Sequence, residues 1–270
     1  MPQSFLGPYQ IEAFNTAKES ENKIHDDDVA RRFGFKGGLV PGVEVYAYMT
    51  HLPVARWGRK WLEHGTAECR LLKPVYDGDF VTVTAGETGN GLDLRLESHG
   101  ELCATGHAAL ASAPLTIPAA FAAAPTPPAP PEERPPADEP TLPVGRWLAM
   151  HRFRVSQEEG LQYLRDISES LPLYADQELI HPGTLLHIGN WVLRHNVVLG
   201  PWMHVGSRIE HFAAARIGDE LSARALITDN YEHKGHRFVA LDVLVYANGA
   251  TPIARIAHTA IYRPRQLAAA

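Results

Sequence analysis

The sequence predicts an α+β chain built twice over, each copy carrying one long apolar helix followed by antiparallel strands. Three observations lead there: a Pro-Gly pair opening an apolar run in each half, matching punctuation after each pair, and a proline-rich stretch between the halves. Pro41-Gly42 matches Pro182-Gly183 and Gly65 matches Gly206, both offset by 141 residues (183 − 42 and 206 − 65). Asp79 matches Asp219 at an offset of 140, in the turns Asp77-Gly78-Asp79 and Gly218-Asp219-Glu220. Recurrence of this kind marks an internal repeat.

Each element has a local reason. The run Val43–Arg56 is apolar on most faces (Val43, Val45, Tyr46, Ala47, Met49, Leu52, Val54), as for a helix surrounded by protein. Its partner is the run GTLLHIGNWVLRHNV after Pro182. Alternating, β-branched segments bounded by turn residues predict strands near 66–72, 80–86, 93–98 and 102–113. The second half repeats them near 207–213, 220–228, 237–247 and 251–262. Eleven of the 21 prolines lie between Ala113 and Pro143, with alanine filling most gaps, which predicts an extended, polyproline-like connector. The expected organisation is thus a first repeat over 1–113, a linker over 114–143 and a second repeat over 144–270. One helix wrapped by an antiparallel sheet is the hot-dog fold, and two in one chain make a double hot dog.

Composition removes several classes of function. At 270 residues and 45% hydrophobic content the chain can bury one large core or two small ones. A net charge of −6 without a basic stripe argues against a nucleic-acid partner. Cys69 and Cys103 lack metal-ligand spacing and form no disulfide framework, which predicts a reducing compartment. The first ten residues lack the basic-then-apolar pattern of a secretory signal, and no window of about eighteen apolar residues predicts a membrane span. The expectation is a soluble cytoplasmic protein.

Chemistry concentrates in Glu21-Asn22-Lys23-Ile24-His25-Asp26-Asp27, followed seventeen residues after the histidine by Gly42. An imidazole can move a proton near neutral pH, an Asn can orient it or a water, and a helix N-terminus offers free N–H groups to an oxyanion. This stretch resembles the hydratase motif of MaoC-like dehydratases and (R)-specific enoyl-CoA hydratases, roughly Asp-x-Asn-Pro-x-His. The run Arg70-Leu71-Leu72-Lys73-Pro74-Val75-Tyr76-Asp77-Gly78-Asp79 is similar to that family's strand-turn-strand after the hot-dog helix. The resemblance implies a double hot dog and places the family's catalytic Asp on Ser20. Lys23 replaces the family's Pro.

The resemblance implies His25 as the proton-transfer residue, with Asn22 orienting its loop. Glu21 or Asp27 would stand in for the carboxylate that Ser20 lacks. Gly42 would present its N–H to the thioester carbonyl, beside Pro41, Val40 and Leu39. Each has a plainer reading: a solvated histidine among acids, a turn asparagine, a Pro-Gly pair that only starts a helix. Glu44, one turn into an apolar helix, fits a dipole-favoured first-turn acid, and also the helix carboxylate of a thioesterase branch of the fold. In the second half Tyr174 stands for the His and Leu171 for the Asn, nine residues before Gly183 instead of seventeen. That copy is expected to be degenerate. His181, His187, His195, His204 and His211 show no metal pattern and read as surface, interface or core residues.

The resulting expectation is a hydratase or dehydratase of 2-enoyl thioesters. CoA or an acyl-carrier protein would be the substrate handle, no redox or metal cofactor is implied, and the chain would be a monomer or homodimer. A thioesterase using Glu44 and a non-catalytic acyl-binding protein are the alternatives.

Overall fold

The computed structural model describes residues 5–122 and 127–265. The first repeat runs β1 (Phe5–Glu12), a 3-10 turn (Lys23–His25), α1 (Asp27–Arg32), central helix α2 (Gly42–Trp57) and short α3 (Arg59–His64). Strands β2 (Gly65–Leu71), β3 (Phe80–Thr88), β4 (Gly91–Ser98) and β5 (Glu101–Leu110) complete it. The second runs β6 (Trp147–Ala149), β7 (Phe153–Arg154), α4 (Gln157–Asp166), α5 (Leu173–Asp176) and central helix α6 (Pro182–Asn196). It ends with β8 (Met203–His211), β9 (Glu220–His233), β10 (His236–Ala247) and β11 (Thr251–Arg263).

The strands form a continuous antiparallel sheet in the order β1-β3-β4-β5-β2-β8-β11-β10-β9-β6, with β7 also on β9. The order reads the same outward from its middle, where β2 pairs β8 with Cys69 opposite Ser207. The two central helices pack against each other as well as on the sheet. From Val43 to Val54 only His51 of α2 is not buried, which accounts for a sequence apolar nearly all round.

Hydrogen bonding makes the repeat concrete. Val40 N–H donates to the Val75 carbonyl and Ile180 N–H to the Ala215 carbonyl, each at 2.9 Å and 140 residues apart. Asp79 accepts from Tyr76 N–H at 3.0 Å, and Asp219 from Arg216 N–H at 2.8 Å. The structure keeps the offset at 140 through the helix starts: Pro41 and His181 are the N-caps and Gly42 and Pro182 the first helical residues, so the expected alignment of Pro41-Gly42 with Pro182-Gly183 does not hold. Gly206 departs from the expected match: it lies inside β8, which starts at Met203, whereas Gly65 begins β2. The second repeat replaces α3 by the loop 197–202, so its strand starts earlier relative to the helix.

The proline-rich segment is packed rather than free. Phe121 is buried with Leu244 and Tyr246 and meets Trp147 edge to face at 5.1 Å. Farther on, Ala137 N–H donates to the Val198 carbonyl and Val198 N–H to the Pro135 carbonyl, both at 2.8 Å, tying the segment to the end of α6. Among the described residues no helix is long and apolar enough to cross a membrane.

Candidate functional site

The loop before α2 is held by its own polar residues and by the other repeat. Asn22 caps the 3-10 turn: its Oδ1 accepts from Ile24 N–H at 3.4 Å and from Trp202 N–H at 3.1 Å. Its Nδ2 donates to the Trp202 carbonyl at 2.9 Å and lies 3.2 Å from His25 Nε2. Trp202 belongs to the loop that stands in place of a second α3, so the shortened strand connection of repeat two pins the motif of repeat one.

His25 Nδ1–H donates to the Leu39 carbonyl at 2.6 Å. That bond fixes the tautomer and leaves Nε2 as a lone pair, steadied by the Asn22 amide. Burial pushes the His25 pKa down, with the Leu39 carbonyl partly opposing it, so the imidazole is neutral near pH 7. Gly38 lets the chain pass: a Cβ there would collide with the His25 carbonyl oxygen.

The two helix N-termini differ because the same N-cap position carries Pro41 before α2 and His181 before α6. His181 caps α6, its Nδ1 accepting from Gly183 N–H at 3.0 Å, and a Cβ on Gly183 would collide with Tyr163 Oη. Tyr174 is buried and its ring lies 4.7 Å from that of His181. The second pseudo-site is thus filled and capped by its own side chains. Pro41 has no side-chain acceptor to cap α2, and the backbone of Gly42, its first residue, lies within hydrogen-bonding reach of the buried His204 ring. Gly42 instead faces a cavity, where a Cβ would collide with Leu71 Cδ1 and come within 2.9 Å of His204 Nδ1.

The other expected residues divide. Leu39, Val40 and Pro41 line the cavity with His25 and Gly42. Ser20 and Glu21 line an adjoining cavity; the Ser20 hydroxyl donates to the Asn22 carbonyl at 3.4 Å, and Glu21 is exposed. Asp27 turns away: its Oδ1 accepts from Gly38 N–H at 2.7 Å, and it lines a separate surface hollow. Asp26 caps α1 by accepting from Asp28 and Val29 N–H, which swings the next side chain off the His25 side.

A carboxylate is nevertheless present, on a different element. Glu44 is wholly buried on α2, and His187 of α6 reaches it with Nε2 at 2.8 Å from Oε1. Tyr163 donates to Oε2 at 2.6 Å and Thr16 to Oε1 at 2.8 Å. Burial alone would raise the Glu44 pKa, but His187 and these donors outweigh it and hold the carboxyl below its ordinary value. His187 lines the same cavity as His25. His187 is thus an interface histidine, one of the readings open to it, and Glu44 lies in the first turn of α2 but is also paired across the helix interface. The available signal was an ionisable residue in the apolar part of each of two helices that must pack together.

Two cavities meet at Asn22, His25, Pro41, Asn190 and Trp202. The smaller, about 170 Å³, is walled mainly by apolar side chains such as Ile24, Val40, Val45 and Leu71, with Gly42 at its edge. The larger, about 470 Å³, carries His187, Glu21, Arg134 and Arg194. Asn190 is oriented by His258 Nε2 at 2.9 Å from its Oδ1, and that histidine is held in turn by Ser207. A neutral imidazole, the N-terminus of α2 and a carboxylate-backed imidazole thus surround one branched space.

No protein-family model and no curated protein sequence matches this chain. Solved structures do. One described as a MaoC-domain dehydratase from Chloroflexus aurantiacus J-10-fl aligns over 98% of this chain and 96% of its own, at TM-score 0.64 and 10% identity. A conserved hypothetical protein from Mycobacterium tuberculosis, described as a double hot dog, aligns over 95% and 96% at TM-score 0.63 and 15% identity. A structure titled MaoC-like dehydratase aligns over 96% and 97% at 0.61 and 12%. The chain has the double hot-dog fold and resembles MaoC-like dehydratases along its whole length. At such identities the likeness is one of fold.

Proposed function

We propose that the protein is an acyl-thioester hydratase or dehydratase, moving water reversibly across the double bond of a 2-enoyl thioester. The observation that carries this reading is the convergence of His25 Nε2, the Gly42 N–H and the Glu44–His187 pair on the joined cavities. The thioester carbonyl oxygen would accept from Gly42 N–H, where the α2 dipole favours negative charge as the enolate forms. His25 Nε2 would take a proton from water while the water oxygen bonds Cβ and the π electrons move toward the carbonyl. The proton that Cα then gains would come from the His187 imidazole, which Glu44 holds in place at 2.8 Å. Dehydration runs the same steps backward. CoA or a carrier protein would serve as handle.

A neutral imidazole whose Nε2 lone pair faces the cavity beside the Asn22 amide supports hydration over thioester cleavage by direct attack of Glu44, because that carboxylate is enclosed and its oxygens hold three donors. The test follows loss of enoyl-thioester absorbance with short and medium 2-enoyl-CoAs, alongside a thiol assay. The expected result is absorbance loss without thiol release, abolished in His25→Ala. Thiol release without hydration, or turnover unaffected by His25→Ala, would overturn the reading.

A further inference from the structure

Two guanidinium groups line the larger cavity together with His25 and His187: Arg134 from the proline-rich segment and Arg194 from α6. Arg134 Nη1 donates to the Arg194 carbonyl and its Nε to the Pro131 carbonyl at 3.0 Å, so the segment that crosses the end of α6 also places this cation. Several arginines elsewhere in the fold find carboxylates, as Arg255 does with Asp242 at 2.8 Å and Arg59 with Glu63 at 2.7 Å. Among the described residues neither Arg134 nor Arg194 forms an ion pair, and Arg194 Nε is buried without a hydrogen-bond partner. Glu21 lines the cavity as well, but it is exposed and bonds neither of them.

A buried charged donor lacking an acceptor is costly, and a guanidinium fork suits planar carboxylate or phosphate oxygens two at a time. We infer that Arg134 and Arg194 form an oxyanion subsite that holds a negatively charged end of the substrate. The choice of ligand rests on the thioester reading above. The reacting carbons would sit where the cavities join, so one branch takes the handle and the other the acyl group. With the pantetheine arm in the apolar branch, the arginines meet a second carboxylate on the acyl group. With an apolar acyl chain there, they meet the diphosphate of CoA. The chemistry on the protein side is the same.

Calorimetric titration separates these cases without needing turnover. The probes are succinyl-CoA, butyryl-CoA, the two corresponding pantetheine thioesters, free succinate and inorganic diphosphate. The proteins are wild type, Arg194→Met, Arg134→Met and Arg194→Lys, each checked for an unchanged melting temperature. The methionine variants are expected to bind the anionic probe about ten- to hundredfold more weakly, with Arg194→Lys intermediate. Loss confined to the succinyl thioesters, with either handle, identifies an acyl carboxylate. Loss for both CoA thioesters and neither pantetheine thioester identifies the diphosphate. Free anions bound through the arginines with no thioester bound would keep the subsite and sink the hydratase reading. Methionine variants that bind every probe as wild type does, or a wild type that binds none, would overturn the subsite.

Discussion

Glu44 and His187 come from the central helices of different repeats and meet carboxylate to imidazole at 2.8 Å, with the glutamate wholly buried. A buried carboxylate survives in a core only when its charge is matched and its lone pairs are used, and here His187, Tyr163 and Thr16 supply all of that. The imidazole in turn faces the cavity that His25 faces. The pair links the packing of two helices to the site.

Glu44→Gln keeps the volume and acceptors for Tyr163 and Thr16 while removing the charge that backs His187. We expect kcat to fall about a hundredfold with KM little changed, because His187 would lose the carboxylate that orients it. An unchanged kcat would make the pair structural only. His187→Leu should also lower stability by about 3 kcal/mol in urea unfolding, since it strands a buried charge.

The rate should fall on the acid side below the usual histidine range. Burial lowers the His25 pKa from 6.5, so the lone pair on Nε2 persists to lower pH than in a free imidazole. A pH profile of kcat/KM for wild type is expected to show an acid limb with its midpoint below 6.5. A midpoint above that value would mean that His25 is not the base.

Stability should drop on acidification for a related reason. Burial holds His204 and His211 at about 4, against 6.5 when exposed, so between those values the unfolded chain binds more protons than the folded one. Stability therefore declines as pH falls from 6.5 toward 4, by about 3 kcal/mol for each such histidine. Glu44 acts in the same direction: its depressed folded pKa means that stability is present above the unfolded value of 4.5 and lost as pH falls through the lower one. Urea midpoints at pH 7, 6, 5 and 4 test this, and His211→Leu should flatten the decline.

Gly42, first in α2, and Gly183, second in α6, should respond differently to alanine. Gly42→Ala pushes a methyl into the cavity against Leu71 and His204, while Gly183→Ala pushes one into Tyr163 within the packed core. Gly42→Ala is expected to lower kcat/KM more than tenfold with a small change in melting temperature, whereas Gly183→Ala lowers the melting temperature by several degrees. Equal loss of activity in both would remove the assigned role of the Gly42 N–H.

What the sequence could reveal followed from distance along the chain. Asn22, His25 and Gly42 were readable because their spacing is local and one loop carries them. Trp202 was not, since its two bonds to Asn22 span 180 residues and arise because repeat two lacks a second α3. Asp27 misled because adjacency in sequence hid the Asp26 cap that turns it away. The Pro-Gly pairs misled in a similar way: their offset of 141 hid that Pro41 and His181 share the N-cap position, and that only the histidine caps its helix needed the side chains.

Ser20→Asp decides whether the site works without the motif carboxylate or has lost it. Ser20 lines the same cavity as His25 and His187, with its hydroxyl on the Asn22 carbonyl. If Glu44–His187 already supplies the carboxylate-backed imidazole, a second carboxylate adds negative charge near a forming enolate and removes no barrier. The expected outcome is a kcat within about threefold of wild type or below it, corresponding to well under 1 kcal/mol of gain. An increase of a hundredfold or more would show that the missing aspartate was limiting and that the Glu44 pair does not replace it. The double variant Ser20→Asp/Glu44→Gln completes the argument. Additive effects would mean that the two carboxylates serve separate steps, whereas rescue of Glu44→Gln by Ser20→Asp would mean that either can back the chemistry.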